Sequence, residues 1–278
     1  MMRVLSGDAP PGSQNGLKVS LVQRGYFLAC SARPETDLAV GPAADDDVSV
    51  AGKIVEIEPL SESVSRVRIQ LDGEFEFRAG QFVNLVRADG LVRSYSVANL
   101  PNGGGELEMH VREIAGGRMS GWLCRGDALG EAIHVRGPAG DCFYIGDADE
   151  ELLLAGTGLA PLLGIIRNAV QAGHCGKVTV YHGALDERGL YLTEELRDLE
   201  STWKFLSYHA CVLRGEPRAG LLVGALDEVV LNRHPELDKA RIYLCGDPDL
   251  VNNLRRKLYI AGADLKRIHA DAFLSTPS

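Results

Sequence analysis

The sequence predicts two folded domains of different classes, an antiparallel β-barrel followed by an α/β domain with a doubly wound parallel sheet. The first half contains short, partly alternating apolar segments that are separated by turn residues. After residue 150 the pattern changes to strands that alternate with apolar helical stretches. The chain has 278 residues, of which 45% are hydrophobic, so it can bury two cores.

The predicted barrel rests on six segments that are rich in β-branched residues. Turn signals such as Asp72-Gly73 and Pro101-Asn102-Gly103 separate them. The predicted barrel strands are 52–58, 64–71, 81–87, 91–98, 106–112 and 132–136.

The second half shows the strand–helix alternation of a parallel sheet. The predicted strands are 151–155, 177–182, 204–209 and 241–245. The predicted helices are 160–172, 191–199, 221–230 and 248–261.

A run of four residues, Arg93–Ser96, lies between two apolar stretches of the predicted barrel. A flavin nucleotide needs a cation for its phosphate, an aromatic wall for its ring and a hydroxyl near its reactive nitrogens. Arg93, Tyr95 and Ser96 offer these three groups. On a strand, Arg93 and Tyr95 share one face, while Ser94 and Ser96 point to the other. A solvated strand face is the alternative interpretation of this run.

A glycine turn follows the strand predicted at 151–155 and precedes a predicted helix. Its glycines, Gly156 and Gly158, would let a dinucleotide approach the backbone, and Thr157 or the helix N-terminus could donate hydrogen bonds to it. Pro161 stands where the third glycine of the G-x-G-x-x-G fingerprint would be, so the turn differs from that fingerprint. Tight turns occur in any parallel sheet, which leaves a purely structural role open.

The third motif is Cys245–Pro248, at the end of the strand predicted at 241–245. Open parallel sheets bind ligands at the carboxyl ends of their strands, and Cys245 is predicted to lie at such an end. A small buried cysteine that only fills space is the alternative.

In this order and at these separations, Arg-x-Tyr-Ser, Gly-Thr-Gly-x-Ala-Pro and Cys-Gly-Asp-Pro resemble the motifs of the ferredoxin-NADP reductase superfamily. The resemblance is specifically to the reductase components that feed electrons to bacterial oxygenases, and it covers residues 50–275. It implies a flavin-binding barrel followed by a nicotinamide domain. The expected bounds are 1–45 for a ferredoxin-like remnant, 48–146 for an FAD-binding domain and 147–278 for an NAD(P)-binding domain.

The resemblance implies that the flavin pyrophosphate rests on a helix N-terminus after a second barrel motif. Backbone amides and Ser120 would hold the phosphate there, and Arg112 and Arg118 would add positive charge. A plain turn followed by a capped helix is the alternative. The cofactor-binding residues implied in this segment are His110, Val111, Arg112, Gly117, Arg118, Met119 and Ser120.

Three residues are expected at the reacting centre, namely Ser96, Cys245 and Phe273. The family places a small polarizable side chain, here Cys245, close to the nicotinamide C4 and the flavin N5. It also places an aromatic residue near the C-terminus that can cover the nicotinamide-side face of the flavin. Phe273 matches that aromatic residue, and a packed chain end is the alternative. The remaining residues expected to bind a cofactor are Ser94, Gly156, Thr157, Gly158, Ala160, Pro161, Asp186, Gly246, Asp247 and Pro248.

Asp186 bears on which nicotinamide nucleotide is used. Relatives that take the phosphorylated form often carry an arginine after the second strand of this domain, and Leu185 stands at that place, with Asp186 beside it. A carboxylate suits a free ribose hydroxyl, which favours NADH. Arg188 lies within reach, so NADPH stays open. FAD is favoured over FMN.

The N-terminal segment resembles the last part of a plant-type 2Fe-2S ferredoxin module, in Arg3–Gly7 and Gly25–Leu38. Such a cluster needs four cysteine thiolates. Only Cys30, which matches the fourth ligand, is present, so a 2Fe-2S cluster is expected only in a longer form of the protein. Truncation and decay of the module both explain this, and truncation is favoured because the sequence around Cys30 still resembles a ferredoxin.

Composition argues against several classes of protein. The net charge of −9 argues against a nucleic-acid partner. The six cysteines form no C-x-x-C pair and the histidines form no H-E-x-x-H motif, so reduced thiols in the cytoplasm are expected and no zinc site. No apolar run reaches membrane length, and the start lacks a signal-peptide pattern. The acidic Asp45–Asp47 is predicted to be a solvated linker.

The expected function is therefore a flavoprotein reductase that takes hydride from NAD(P)H onto FAD. It would pass electrons one at a time to an iron–sulfur protein, either an oxygenase component or a ferredoxin. A non-catalytic flavin-binding module or sensor is one alternative. The electron-transfer subunit of a dihydroorotate-type dehydrogenase is another, although the C-terminal cysteine cluster expected for it is absent from the sequence.

Overall fold

The computed structural model describes residues 1–17, 19–42 and 48–273. The predicted linker Asp45–Asp47 lies outside the described residues. Three β-sheets organise the described chain, a small N-terminal sheet, an antiparallel sheet and a parallel sheet.

The N-terminal sheet has three antiparallel strands and one short helix. These are β1 (Met2–Ser6), α1 (Val19–Gln23), β2 (Tyr26–Phe27) and β3 (Ala39–Pro42). Strand β1 pairs with both others, and Tyr26 and Phe27 are its buried aromatic partners. Cys30 is exposed in the turn that follows β2.

The second sheet is a barrel, as predicted. Its strands are β4 (Val48–Pro59), β5 (Val64–Leu71), β6 (Phe82–Val86), β7 (Val92–Ser96), β8 (Glu106–Arg112) and β9 (Ala132–Ala139). The short helix α2 (Arg118–Cys124) lies between β8 and β9 in the chain. The antiparallel strands run in the order β7-β6-β9-β4-β5-β8, and a bridge between Val97 and Met109 brings the two edges together. Alternate residues such as Val67 and Ile69 point into the core, which accounts for the period-2 pattern.

The third sheet is entirely parallel. Its elements are β10 (Leu152–Gly156), α3 (Leu159–Gln171), β11 (Val178–Ala184), α4 (Thr193–Thr202), β12 (Leu206–Val212), β13 (Leu221–Val223), α5 (Leu226–Arg233), β14 (Arg241–Gly246), α6 (Pro248–Ile260) and β15 (Ile268–Ala272). The order is β13-β12-β11-β10-β14-β15, so the direction of winding reverses between β10 and β14. In open α/β sheets such a reversal opens a crevice at the carboxyl ends of the strands.

Helices cover both faces of the parallel sheet, which confirms the doubly wound prediction. Leu152 and Leu154 pack in the core on the α3 and α4 side, and Leu153 and Ala155 pack in the core on the α5 and α6 side. Strands buried on both faces are continuously apolar, as Leu152–Ala155 is. Within the described residues, we find no helix that combines the length and apolarity needed to cross a bilayer.

The predicted helix at 221–230 is wrong at its start. Leu221–Val223 forms the edge strand β13 and pairs with β12, and helix α5 begins only at Leu226. Gly224, at φ +146°, separates the two elements. Pairing with β12 gives these three apolar residues backbone hydrogen-bond partners and also places them against the sheet. This gain outweighs the local helical pattern.

Candidate active site

One hydrogen bond joins the barrel to the parallel sheet at the motif-bearing strand. Ser96, the last residue of β7, donates from Oγ to Oδ2 of Asp271 in β15 at 2.8 Å. Ser96 is only 8% exposed. A hydroxyl that donates to a carboxylate keeps its oxygen lone pairs available to accept a further bond. The contact therefore fixes both the position and the donor direction of Ser96.

Asp271 lies among the residues that the glycine and cysteine motifs supply. In the register of the parallel sheet, Cys245 pairs with Gly156 on one side and with Asp271 on the other. All three residues stand at the carboxyl ends of β10, β14 and β15. They border the reversal between β10 and β14, where open sheets bind nucleotides.

The thiol of Cys245 is fully buried. It donates to the carbonyl of Gly158 at 2.9 Å, which ties the end of β14 to the glycine turn. Burial raises the pKa of the Cys245 thiol well above its usual value, so the group is a neutral thiol near pH 7. A thiol in that state fits a positional role and not a nucleophilic one.

The two nucleotide-side turns are bonded to each other. Thr157 donates its backbone N–H to the Cys245 carbonyl at 3.0 Å, and its hydroxyl accepts from the Asp247 amide at 3.1 Å. Gly246 has φ +125°, and a Cβ there would overlap the Thr157 hydroxyl. The close approach of the turns therefore requires glycine at 246.

Each turn opens a helix in a regular way. Ala160 and Pro161 lie buried in the first turn of α3, where a proline needs no amide partner. Asp247 caps α6 by accepting from the amides of Asp249 and Leu250 at 3.0 and 3.1 Å, and Pro248 is the first residue of that helix.

Phe273 lies over the glycine turn. Its amide donates to the Gly246 carbonyl at 2.8 Å, and a Cβ on Gly158 would overlap the Phe273 ring. The side chain is 41% exposed. The ring therefore packs against a backbone position that has no side chain.

The Arg-x-Tyr-Ser strand presents a cation without a carboxylate partner among the described residues. Arg93 donates to the neighbouring Val92 carbonyl at 2.8 Å. Ser94 is exposed and donates to Asn84 at 2.7 Å. Tyr95 packs on the barrel core, and burial raises the pKa of its hydroxyl. A guanidinium with unused donors beside a half-buried ring fits the phosphate and ring of a flavin nucleotide.

Helix α2 follows the second barrel motif, as the sequence predicts. Gly117 precedes its first residue, and Ser120 closes the turn by accepting from the Ile114 amide at 3.1 Å. Arg118 pairs with Asp89 at 2.7 Å. The amides of the first turn have no acceptor within the helix, so they are available to a phosphate.

The side chains of the second barrel motif point in different directions. Val111 and Met119 lie in the barrel core, so their side chains are not open to a ligand. Arg112 is exposed and donates to Ser63 at 3.1 Å. The His110 side chain is buried against Tyr191 of the other domain, with ring centroids 5.5 Å apart. His110 therefore faces the domain interface.

Asp186 forms a local ion pair. It follows β11, accepts from the amide of Arg188 at 3.0 Å and pairs with its guanidinium at 2.9 Å. Both side chains are solvent-accessible, and the hydrogen bond from the Arg188 side chain, together with its charge, lowers the pKa of Asp186. The carboxylate and the cation that could each recognise a ribose substituent are thus neighbours.

Asp271 is a residue of the candidate site that the sequence alone did not identify. It stands two residues before Phe273, at the end of a strand, and this short spacing from the predicted aromatic residue is a signal that the sequence offers. Asp271 contacts Ser96 across a separation of 175 residues in the sequence. It lies beside Cys245 only because of the register between β14 and β15. Neither can be read from spacing. Within the described residues, no group of three or more His, Cys, Asp or Glu side chains is arranged to hold a metal ion.

Two family models match the chain. The oxidoreductase FAD-binding domain matches residues 51–144, and the oxidoreductase NAD-binding domain matches residues 152–256. These matches coincide with the barrel and with most of the parallel-sheet domain.

Curated relatives match over nearly the whole chain. The ferredoxin–NAD(P)+ reductase component of the naphthalene 1,2-dioxygenase system of Pseudomonas putida is 31% identical over 280 residues, which is 98% of this chain and 85% of that protein. The reductase subunit of an aromatic O-demethylase from Amycolatopsis is 31% identical over 291 residues, covering 98% and 86%. A crystal structure of a cytochrome P450 reductase from Amycolatopsis superposes with a TM-score of 0.76 at 28% identity, covering 98% of this chain and 86% of that one.

Barrel, parallel sheet and shared site together define an oxidoreductase that binds FAD and a nicotinamide dinucleotide. The similarity extends beyond the two domains to 98% of the chain. The protein belongs to the family of ferredoxin–NAD(P)+ reductase components of oxygenase systems.

Proposed function

We propose that this protein oxidises NADH or NADPH and delivers the electrons singly to an iron–sulfur protein, either a ferredoxin or an oxygenase component. The observation that carries the proposal is the Ser96–Asp271 bond beside Cys245, because it joins the flavin-side strand to the nucleotide-side edge of the sheet. Bound FAD supplies the chemistry, since it accepts two electrons as a hydride and can release them one at a time.

The chain's own residues bind and orient. We assign phosphate binding to Arg93 and the α2 amides, and ring contact to Tyr95. Ser96, oriented by Asp271, offers a hydroxyl at the reacting edge, and Cys245 and Phe273 bound the space on the nicotinamide side. The Gly156–Gly158 turn and Asp247–Pro248 receive the dinucleotide. The domain bounds that go with these roles are 48–146 for FAD and 147–278 for NAD(P), after a 1–45 segment derived from a ferredoxin module.

Anaerobic mixing with NADH tests the function. The purified chain, reconstituted with FAD, should lose its oxidised-flavin absorbance within seconds, as typical turnover rates require. It should then reduce ferricyanide repeatedly. A flavin that stays oxidised under excess NADH would overturn the proposal and favour a non-catalytic flavin-binding module.

The chain should bind flavin without an iron–sulfur cluster. Cys30 is exposed, and the other five cysteines lie in the barrel and the parallel-sheet domain, so three thiolate ligands are lacking around it. Iron and sulfide analysis after anaerobic cluster reconstitution should give the same background value for the unmodified chain and for Cys30→Ser. A content of about two irons per chain that is lost in Cys30→Ser would contradict this.

Asp186 should set the preference for NADH. Asp186→Ser keeps an oxygen that can cap the turn but removes the charge that opposes a ribose phosphate, and it releases Arg188. We expect the ratio of kcat/KM for NADH over NADPH to fall by about tenfold. Arg188→Ser serves as the matched control and should move the ratio the other way. An unchanged ratio in both variants would place ribose recognition elsewhere.

A further inference from the structure

Helix α3 belongs to the nucleotide domain, yet it lies directly on the barrel backbone. It begins at Leu159, immediately after the glycine turn. A Cβ on Gly164 would come within 2.7 Å of the Gly80 amide nitrogen and 3.0 Å of the Val97 carbonyl oxygen. Val97 is the residue after Ser96. The helix that carries the nucleotide turn thus contacts the strand that carries the flavin motif.

Arg167 lies one turn further along the same helix and continues this contact. Its Nη1 donates to the Ala98 carbonyl and to Glu108 Oε1, each at 3.1 Å. Its Nη2 donates to Glu195 Oε1 at 2.8 Å within its own domain. One planar guanidinium therefore links the segment just after β7, the middle of β8 and helix α4.

Glu108 is a buried carboxylate that depends on this partner. Its side chain is 4% exposed, and Arg68 contacts its other oxygen at 3.2 Å. Burial raises the pKa of Glu108, but the hydrogen bond from His110 and the charge of Arg167 outweigh this and hold the pKa well below its usual range. Arg66, at 3.8 Å, and Arg68 would remain beside Glu108 without Arg167, but Glu108 Oε1 would lose its only arginine contact among the described residues, so the burial of this carboxylate favours keeping Arg167 in place.

We propose that Arg167, together with Gly164, positions helix α3 on the barrel and so sets the distance between the nicotinamide and flavin sites. The inference rests on the proposed function, because the reacting groups come from opposite sides of this interface. Ser96 belongs to the barrel, and Cys245 belongs to the sheet that α3 covers. A displacement of about 1 Å between reacting groups can cost on the order of a hundredfold in rate. Arg167 is thus a positioning residue.

The test separates positioning from binding and from stability. In Arg167→Met the limiting rate of anaerobic flavin reduction should fall by about tenfold or more, while the apparent Kd for NADH and the FAD content stay within about threefold. Arg167→Lys, which keeps the charge but offers a single nitrogen, should recover part of the rate. Arg255→Met, an exposed arginine of α6, is the matched control and should behave as the unmodified chain.

Gly164→Ala tests the same interface by a different route. Alanine is the better helix residue, so any loss of rate must come from helix α3 moving off the barrel.

Hydrogen exchange of the flavin-free and nucleotide-free chain gives a second readout. Amides of residues 97–112 and 159–171 should exchange faster in Arg167→Met and Gly164→Ala, and those of β11 and β12 should not.

Three results would overturn the inference. The first is a limiting rate equal to that of the unmodified chain in both variants. The second is a rise in the NADH Kd with the limiting rate kept, which would make Arg167 a binding residue. The third is faster exchange throughout the chain with an unchanged limiting rate, which would make the contact purely stabilising. If Arg167→Met does not fold, Arg167→Lys and Gly164→Ala carry the same comparison. Failure of the unmodified chain to be reduced by NADH would overturn the proposed function instead.

Discussion

Arg93→Ala should lose flavin affinity by about ten- to a hundredfold while the parallel-sheet domain stays folded. The physical reason is the loss of charge-assisted hydrogen bonds to a phosphate, each worth roughly 1.5–3 kcal/mol, where about 1.4 kcal/mol corresponds to tenfold in affinity. The Arg93 guanidinium donates to a backbone carbonyl and pairs with no carboxylate in the described part of the chain. Replacing Arg93 therefore leaves no buried carboxylate without its partner.

Fluorescence titration of the flavin-free chain with FAD measures this effect. Arg256→Ala, which removes an exposed arginine of α6, is the matched control and should bind FAD as the unmodified chain does. Retention of the full flavin complement by Arg93→Ala through dilution and gel filtration would show that the phosphate lies elsewhere.

Cys245→Ser should slow flavin reduction clearly without loosening either nucleotide. The thiol is fully buried and bonded to the Gly158 carbonyl, so a shorter, stronger hydroxyl donor changes the spacing between β14 and the glycine turn. Because misplacement by about 1 Å can cost on the order of a hundredfold, we expect a loss of about tenfold or more in the limiting rate. FAD retention and the NADH Kd should stay within about threefold.

Anaerobic stopped-flow traces over a range of NADH concentrations separate these quantities. Cys211→Ser is the control, because Cys211 is also buried and also bonded to a carbonyl, that of His209 at 3.6 Å, but lies on β12. Traces for Cys245→Ser that match the unmodified chain would return Cys245 to the role of a packed thiol.

The sequence predicted the elements well where the pattern is local. The alternation of β5 and the continuous apolar run of β10 depend on which faces are buried, and both were identified correctly. The helix predicted at 221–230 is wrong at its start because the structure there depends on a neighbouring strand and not on a local pattern. Leu221–Val223 becomes a strand only because β12 stands beside it, and no local property of those residues requires it.

The motifs that the structure brings together in the candidate site could be recognised in the sequence, but the contacts between them could not. Gly156, Cys245 and Ser96 are found from spacing because turns and strand ends have sequence signatures. Asp271 and Arg167 act through contacts that span 175 and 59 residues. Glu108 looks like an ordinary strand carboxylate until the arginines around it are known. Residues of this kind are set by how the two domains meet, which periodicity does not encode.

The 175-residue separation of Ser96 and Asp271 also orders events during folding. Contacts between distant parts of a chain form late, because the entropy of closing a long loop is lost before the contact is gained. The Arg-x-Tyr-Ser strand and helix α2 belong to the barrel, which needs no residue beyond 139 for its strands. The Ser96–Asp271 contact closes only when β15 has joined its sheet. In a chain made from its N-terminus, every residue of the barrel strands is therefore present before the residue that closes the Ser96–Asp271 contact.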